Sequence, residues 1–182
     1  MYAKYHTDAL VLRREALRED DAMVMLFTAD FGLVRARASA LRKESSRMRY
    51  ALQECGRAHV SLVRGARGWR LAGARAESAH LSGESLRAFA RVLALVERLA
   101  GEEPNDALFE CLAESRERFA MSHSREIVEL ISVARVLHAL GYLSEEALGH
   151  ALSFDETAFM RVEADRDSFL RAINGALAST HL

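Results

Sequence analysis

The densest concentration of chemistry-bearing side chains is a basic run, RARASALRKESSRMR, from Arg35 to Arg49. Six of its 15 residues are Lys or Arg and one is acidic, although the formal net charge of the 182-residue chain is only −1. Guanidinium groups form paired hydrogen bonds with phosphate oxygens, so a cluster of this composition favours a polyanionic ligand. From Arg35 to Arg75 the chain has eleven basic and two acidic residues, which extends the same preference.

The spacing of the first two arginines suits a phosphate backbone. Arg35 and Arg37 lie two apart in an alternating stretch, so on a strand both side chains project from one face about 7 Å apart, near the spacing of successive phosphates. Arg42, Lys43 and other basic residues would continue this surface on the loop beyond. Arg64, Arg67 and Arg75 are possible additions from later strands. The predicted DNA-binding residues are Arg35, Arg37, Arg42, Lys43, Arg47, Arg49, Arg57 and Arg70.

The residue patterns give little support to a catalytic or metal-binding function. Glu19, Asp20 and Asp21 are consecutive, and neighbouring turn residues do not converge as an acid/base pair must. The seven histidines are dispersed, no glycine-rich phosphate loop or GxSxG motif occurs, and Cys55 and Cys111 belong to no CxxC pair. We therefore predict a protein that is not an enzyme, with no cofactor, no metal and two buried free cysteines.

The elements that must position the basic residues change in type along the chain. In the first 80 residues the apolar positions recur with a period of two, which predicts strands. Five short strands in about 70 residues favour a small closed barrel, because closure removes exposed edges. The third strand would bury Val34, Ala36, Ala38 and Ala40. The predicted strands are Ala9 to Arg14, Ala22 to Thr28, Leu33 to Ala40, Arg57 to Arg64 and Trp69 to Ala76.

Beyond Leu81 the apolar period becomes that of helices. One stripe starts at Leu86 and ends before Gly101, and Pro104 opens a second helix. We predict further helices from about Arg125 to Leu140, from Ser144 to Leu152 and from Asp165 to Leu177, with a less regular segment before the last.

Charge separates these halves. Residues 1–80 have a net charge of +6 and residues 81–182 a net charge of −7. We therefore expect two domains, a basic β-domain over 1–80 and a helical domain over 81–182. No apolar run approaches the roughly 18 residues of a membrane span, and the amino terminus lacks a signal-peptide core, so we expect a cytoplasmic, nucleoid-associated protein.

Aromatic side chains that could stack on bases are few, which favours contacts to the phosphate backbone and sequence-independent, salt-sensitive binding. Neutralising about five phosphates on a single strand would give a log–log salt slope of about −3 to −4. Two alternatives stay open. The barrel could bind RNA on the same surface, or it could be a scaffold whose basic face docks an acidic protein or its own helical domain.

An ordered series of residues over about 5 to 80 resembles the amino-terminal signature of the bacterial recombination mediator family RecO. LVRGARGWRLAGARAES resembles the strands that close that domain, and Ala139 to Leu143 resembles the end of a helix in the family's second domain. The matching features in the first stretch are Leu12-Arg13, Glu19, Asp21, Leu26-Phe27-Thr28, Gly32, Ala38, Arg42, Ser46-Arg47 and Ala51-Leu52-Gln53.

The resemblance implies an α+β protein, with a five-stranded oligonucleotide-binding (OB) barrel followed by an all-α domain. It implies a DNA repair and homologous recombination mediator that binds single- and double-stranded DNA, anneals complementary strands and helps to load RecA on strands coated by single-strand binding protein. The implied partners are RecR and the C-terminal tail of single-strand binding protein. The family's DNA-contacting barrel positions match Arg35, Arg37, Arg42, Lys43 and Arg47.

The chain also departs from the family pattern. Ser39-Ala40 stands where a Lys-Gly pair is usual. Forty residues without cysteine follow Tyr142, so we expect a shortened helical domain without the zinc module of many members. Recognition of the single-strand binding protein tail needs a basic anchor beside an apolar pocket. The candidate partner-binding residues are Arg116, Arg118 and Arg135.

Overall fold

The computed structural model describes residues 3–17, 19–77, 81–122 and 124–180, without the side chains of residues 150 and 152. Two compact units are present: residues 1–81 with 100–106, and residues 82–99 with 107–182. The domain boundary predicted at residue 80 falls on residues 78–80, outside the described part. The predicted fold class is confirmed, since a closed five-stranded barrel is followed by helices.

The barrel has the strand order β1-β2-β3-β5-β4, and all neighbours are antiparallel except β3 and β5. β1 pairs with β4 over Lys4 to Leu10 and with β2 over Ala9 to Ala16, and the β1–β2 register shifts between Val11 and Arg13. Such a bulge bends a strand, which lets one strand serve two neighbours. The strands are β1 (Lys4–Ala16), β2 (Ala22–Thr28), β3 (Gly32–Ala38), β4 (Arg57–Gly65) and β5 (Gly68–Ala76).

Small and branched apolar side chains fill the barrel because alternate strand positions face inward. On β3, Val34, Ala36 and Ala38 are buried as predicted. Ala40 does not continue the strand: β3 ends at Ala38, and Ala40 lies half-buried in a turn with φ +54°. The sequence predicts only a loop before β4, whereas Arg49 lies in the short helix α1 (Met48–Ala51), between the buried Leu41 and Leu52.

The β2–β3 turn requires a glycine. Gly32 has φ +58°, and a Cβ there would lie 2.2 Å from the carbonyl oxygen of Glu103. The next residue, Leu33, donates its N–H to the Gly101 carbonyl at 3.0 Å. Residues 100–106 therefore pack against this end of the barrel.

In the second unit, the predicted apolar stripes become the core. Phe89 of α2 packs on Phe119 of α3 with ring centroids 5.6 Å apart, and Gly141, at φ +80°, follows the end of α4. The helices are α2 (Gly83–Leu99), α3 (Asp106–Met121), α4 (Arg125–Ala139), α5 (Glu145–Leu148), a 3₁₀ turn (Gly149–Leu152), α6 (Glu156–Ala164) and α7 (Arg166–Ser179).

One helix is missed by the sequence interpretation. The segment expected to be irregular forms α6, whose first turn is capped by the Asp155 carboxylate accepting from the Ala158 N–H at 2.7 Å. It buries only Ala158 and Val162, so its apolar stripe is too narrow to stand out in the sequence. Within the described residues, no helix combines the length and apolarity needed to span a bilayer.

Candidate nucleic-acid interface

The outer face of β3 carries the two arginines that the alternation predicts there. Arg35 is exposed and Arg37 is half-buried, with buried residues between and beside them. Arg37 is the register partner of Arg70 across the parallel β3–β5 pair. Paired residues on adjacent strands project to the same side of a sheet, so the barrel brings Arg35, Arg37 and Arg70 onto one surface.

A groove of about 660 Å³ lies on this surface. One wall is β3, and the other is the β4–β5 hairpin, whose turn carries Arg67. Of the residues that the structure describes, four arginines and no acidic residue line it, and its apolar lining includes Leu17, Met23, Val63 and Trp69. We call Arg35, Arg37, Arg67 and Arg70 with this lining the arginine groove. It lies between the β1–β2 and β4–β5 connections, the region with which OB folds bind oligonucleotides.

The four arginines differ in how far they are neutralised by neighbours. Arg37 forms two hydrogen bonds to Asp21 Oδ2, from Nη2 at 2.6 Å and from Nε at 3.2 Å. Arg35 lies 3.6 Å from Glu15, and both side chains are largely exposed. For Arg67 and Arg70 the described part of the chain places no carboxylate within ion-pair distance. These two residues retain their full charge for an external anion.

The basic segment after β3 gives a mixed surface rather than a nearly all-positive one. Lys43 lies 3.4 Å from the Asp20 carboxylate, while Arg47 and Arg49 are exposed and have no acidic partner among the described residues. Arg42 and Arg49 line a second groove of about 370 Å³, which also contains Glu15 and Glu54. The sequence places these acids nearby in the chain without indicating which cations they contact.

Arg57, the remaining predicted DNA-binding residue, lies at the opposite end of β4 from the groove, on the outer surface formed by β1, β4 and the end of β5. Its Nη2 donates to Asp8 Oδ2 at 2.9 Å, and its Nε lies 4.0 Å from Glu77. His59 Nδ1 lies 2.8 Å from Asp8 Oδ1. We call Asp8, Arg57, His59 and Glu77 the paired face. Burial raises the pKa of the Asp8 carboxyl, but hydrogen bonds and charge from His59 and Arg57 outweigh it, so the net pKa is lowered.

Asp8, His59 and Glu77 also place one potential metal-ligand atom each within 4.8 Å of one another. Arg57 contacts both carboxylates in this group. Because its guanidinium already supplies the positive charge that a metal ion would bring, the arrangement fits an ion-pair network better than a metal centre.

Aromatic residues cluster at one end of the barrel instead of forming an open stacking platform. The rings of Tyr5, Phe31 and Trp69 lie 5.2 to 5.6 Å apart, and Phe31 and Trp69 pack on the barrel core. The Arg64 guanidinium carbon lies 5.3 Å from the centroid of the Trp69 ring. Tyr50 of α1 is 63% exposed, so it is the aromatic residue of the basic segment best placed to meet a base.

The candidate partner-binding residues lie in the second unit. Arg135 and Arg118 approach the ring of the buried Phe154, with guanidinium carbons 4.8 and 5.9 Å from its centroid. Arg135 also forms an ion pair with Glu114 at 2.7 Å. Arg116 is only 4% exposed, which makes it a poor anchor for an external partner.

Two residues of this region are not among the predicted DNA-binding residues. Arg67 is only one of several possible additions in the sequence, yet it forms a wall of the groove because the hairpin turn folds beside β5. Asp21 reads as a solvated turn residue, yet its side chain is only 16% exposed and binds Arg37. The signal that could have identified Asp21 is its position directly before β2, because pairing of β2 with β3 in a hairpin brings that position close to the basic segment.

Comparison with known proteins gives matches to the barrel segment of the chain. Residues 1–72 match the family model described as recombination protein O N terminal. A protein of Desulforudis audaxviator (strain MP104C), named DNA repair protein RecO, is 40% identical over 62 residues. That match covers 34% of this chain and 25% of the relative, so the aligned segment spans a quarter of the relative's length. The barrel over residues 1–72 is therefore similar to the amino-terminal domain of RecO proteins.

Proposed function

We propose that this protein is a DNA repair and recombination mediator whose barrel holds DNA strands by their phosphates. The observation that carries the proposal is the arginine groove, in which the described lining residues include four arginines and no acidic residue. Among the described residues, Arg67 and Arg70 have no carboxylate at ion-pair distance, and Arg35 has one exposed contact, at 3.6 Å from Glu15. Exposed ion pairs are worth about 0 to 1 kcal/mol, so phosphate can compete for Arg35.

The groove supports binding without sequence preference. Guanidinium groups contact phosphates of any sequence, and Leu17, Met23 and Val63 offer apolar contact without hydrogen-bonding groups that would read base edges. Cations that offset the repulsion between two polyanions, while base edges stay free to pair, would promote annealing of complementary strands. The exposed Arg47 and Arg49 extend the positive surface toward duplex DNA.

The similarity of the barrel to RecO proteins supports a wider role. We propose that the protein works with RecR, contacts the tail of single-strand binding protein and helps to load RecA in the cytoplasm. For the tail, Arg118 and Arg135 beside Phe154 are the helical-unit candidates. The protein acts through binding and not through catalysis of bond formation or cleavage.

Charge reversal in the groove tests the proposal. We expect Arg35→Glu with Arg70→Glu to weaken binding of a fluorescent oligothymidine at least about 100-fold at low salt, and to flatten the log–log salt slope by about 1.4, because two phosphate contacts are lost. Fluorescence anisotropy over a salt series gives both quantities. Annealing of complementary strands, bare and coated by single-strand binding protein, should fall in parallel.

The matched control is Arg87→Glu with Arg171→Glu, which makes the same charge change at exposed helical positions. It should bind DNA as the unchanged protein does. Wild-type affinity of the Arg35/Arg70 variant would contradict the proposal. Stronger binding of an RNA oligonucleotide in competition would favour the RNA-binding alternative, and no binding of either at about 50 mM salt would favour a protein scaffold.

A further inference from the structure

The Asp21 side chain connects the β1–β2 turn, in which it lies, to Arg37 on β3 and to the Ala40 turn beyond β3. Its Oδ2 accepts two hydrogen bonds from Arg37, at 2.6 and 3.2 Å, and its Oδ1 accepts from the backbone N–H of Ala40 at 2.9 Å. The Asp21 side chain is 16% exposed, whereas that of Glu15, near the end of β1 in the same hairpin, is 45% exposed. The Asp21 carboxylate is thus held by hydrogen bonds within the protein, with little exposure to solvent.

The Ala40 turn depends on this contact. Ala40 has φ +54°, a left-handed conformation that side chains other than glycine adopt only at an energetic cost. Such a conformation persists where surrounding contacts impose it, and the Asp21 carboxylate is a contact of this kind. Two residues later, the Arg42 N–H donates to the Asp20 carbonyl at 3.0 Å. The acidic turn therefore determines where the basic loop leaves β3.

We propose that Asp21 is a positioning residue for DNA binding. It orients the Arg37 guanidinium at the wall of the arginine groove and holds the Ala40 turn that places Arg42 and Lys43. This inference rests on the proposed function, since it assigns a role within the same binding surface.

Removing the Asp21 carboxylate distinguishes this role from a purely electrostatic one, because the two predict opposite changes in DNA affinity. A carboxylate near phosphate repels it, so removing the carboxylate should strengthen binding if position did not matter. Glu15 supplies the comparison, because it contacts the side chains of Arg13 and Arg35 and carries the same charge. We expect Glu15→Ala to strengthen oligothymidine binding by about two- to fivefold, as a competing exposed ion pair is removed.

We expect Asp21→Ala to weaken oligothymidine binding by about fivefold or more at low salt and to flatten the salt slope, because phosphate contacts of Arg37 and the loop are lost. A variant that is only partly folded would bind fewer strands with an unchanged slope. Circular dichroism at the assay temperature establishes the folded fraction. Equal or tighter binding by folded Asp21→Ala, or weaker binding with the wild-type slope, would overturn the inference.

Ala40→Gly provides a rescue in the same background. Glycine adopts positive φ without the carboxylate, so Asp21→Ala with Ala40→Gly should recover part of the lost affinity while the Arg37 contribution stays lost. Absence of any recovery would refute the turn-holding role. If Arg35→Glu with Arg70→Glu abolishes binding while Asp21→Ala does not weaken it, the inference fails and the proposed function stands. Wild-type binding by both variants would refute the proposed function itself.

Discussion

The arginine groove and the paired face both lie on the outside of the same small barrel, and both contain arginine. They differ in how far acidic neighbours neutralise the arginine charge. On the paired face, Arg57 contacts Asp8 and Glu77, and His59 contacts Asp8 as well. In the groove, Arg67 and Arg70 have no carboxylate at ion-pair distance in the described part of the chain. The number of arginines on a surface therefore does not measure how much charge it offers to DNA.

Strand register explains the difference. Asp8 is the register partner of His59 on β4, and its neighbour on the same face is Arg57. Arg70 has Arg37 on one side and Val63 on the other. Cross-strand neighbours determine whether a cation is neutralised, and they become known only once the strands are paired.

The largest change in this comparison should come from placing an acid in the groove. Val63→Glu puts a carboxylate beside Arg70, which is its partner across β4 and β5. We expect single-strand affinity to fall about tenfold, because the carboxylate both repels phosphate and pairs with Arg70. Anisotropy titration measures the change. Met160→Glu, at an exposed position of α6, makes the same charge change and should leave affinity as it was; equal losses in both variants would refute a local effect.

A smaller effect is expected from removing the acid of the paired face. The Asp8 pKa is lowered in the folded state, so its ionised form stabilises the protein above the unfolded pKa of about 3.9, and this contribution is lost as the pH falls through the lower folded pKa. Asp8→Asn should therefore lower the thermal midpoint at pH 7 by roughly 2 to 8 °C, for a loss of about 1 to 2 kcal/mol.

The difference between Asp8→Asn and the unchanged protein should narrow as the pH is lowered below about 4. Thermal unfolding followed by circular dichroism at neutral and acidic pH tests this. Asp30→Asn, at an exposed turn position, should show little difference at either pH. A difference in thermal midpoint between Asp8→Asn and the unchanged protein that stays constant with pH would mean that the Asp8 charge does not contribute to stability.

Much of the barrel could be predicted because its core follows a period of two. Val34, Ala36 and Ala38 face inward, Arg35 and Arg37 face outward, and β2 has the predicted bounds. The first strand is longer than predicted. Its first residues, Lys4 to Asp8, are mostly polar, and they are strand residues because β4 pairs with them. Pairing of this kind is a tertiary property that a local apolar pattern does not contain.

The sequence predicts that arginines form the site, but it does not predict which arginines share one surface. Sequence reasoning places Arg57 and Arg70 together in one DNA-binding set, and the structure separates them onto two faces. The clearest sequence clue at the turn is Ser39-Ala40 in place of Lys-Gly: Ala40 does adopt the positive φ that glycine favours. The Asp21 contact that accompanies this conformation depends on how β2 and β3 pair, which residue types alone do not specify.

The most direct test of the account compares single truncations on the two faces. Arg70→Ala and Arg57→Ala remove the same charge, and single-strand affinity is measured over a salt series at a temperature where both variants are folded. We expect Arg70→Ala to weaken binding about tenfold and to flatten the salt slope by about 0.7, whereas Arg57→Ala should change affinity by less than about twofold. Equal losses for the two variants, or a larger loss for Arg57→Ala, would contradict this expectation.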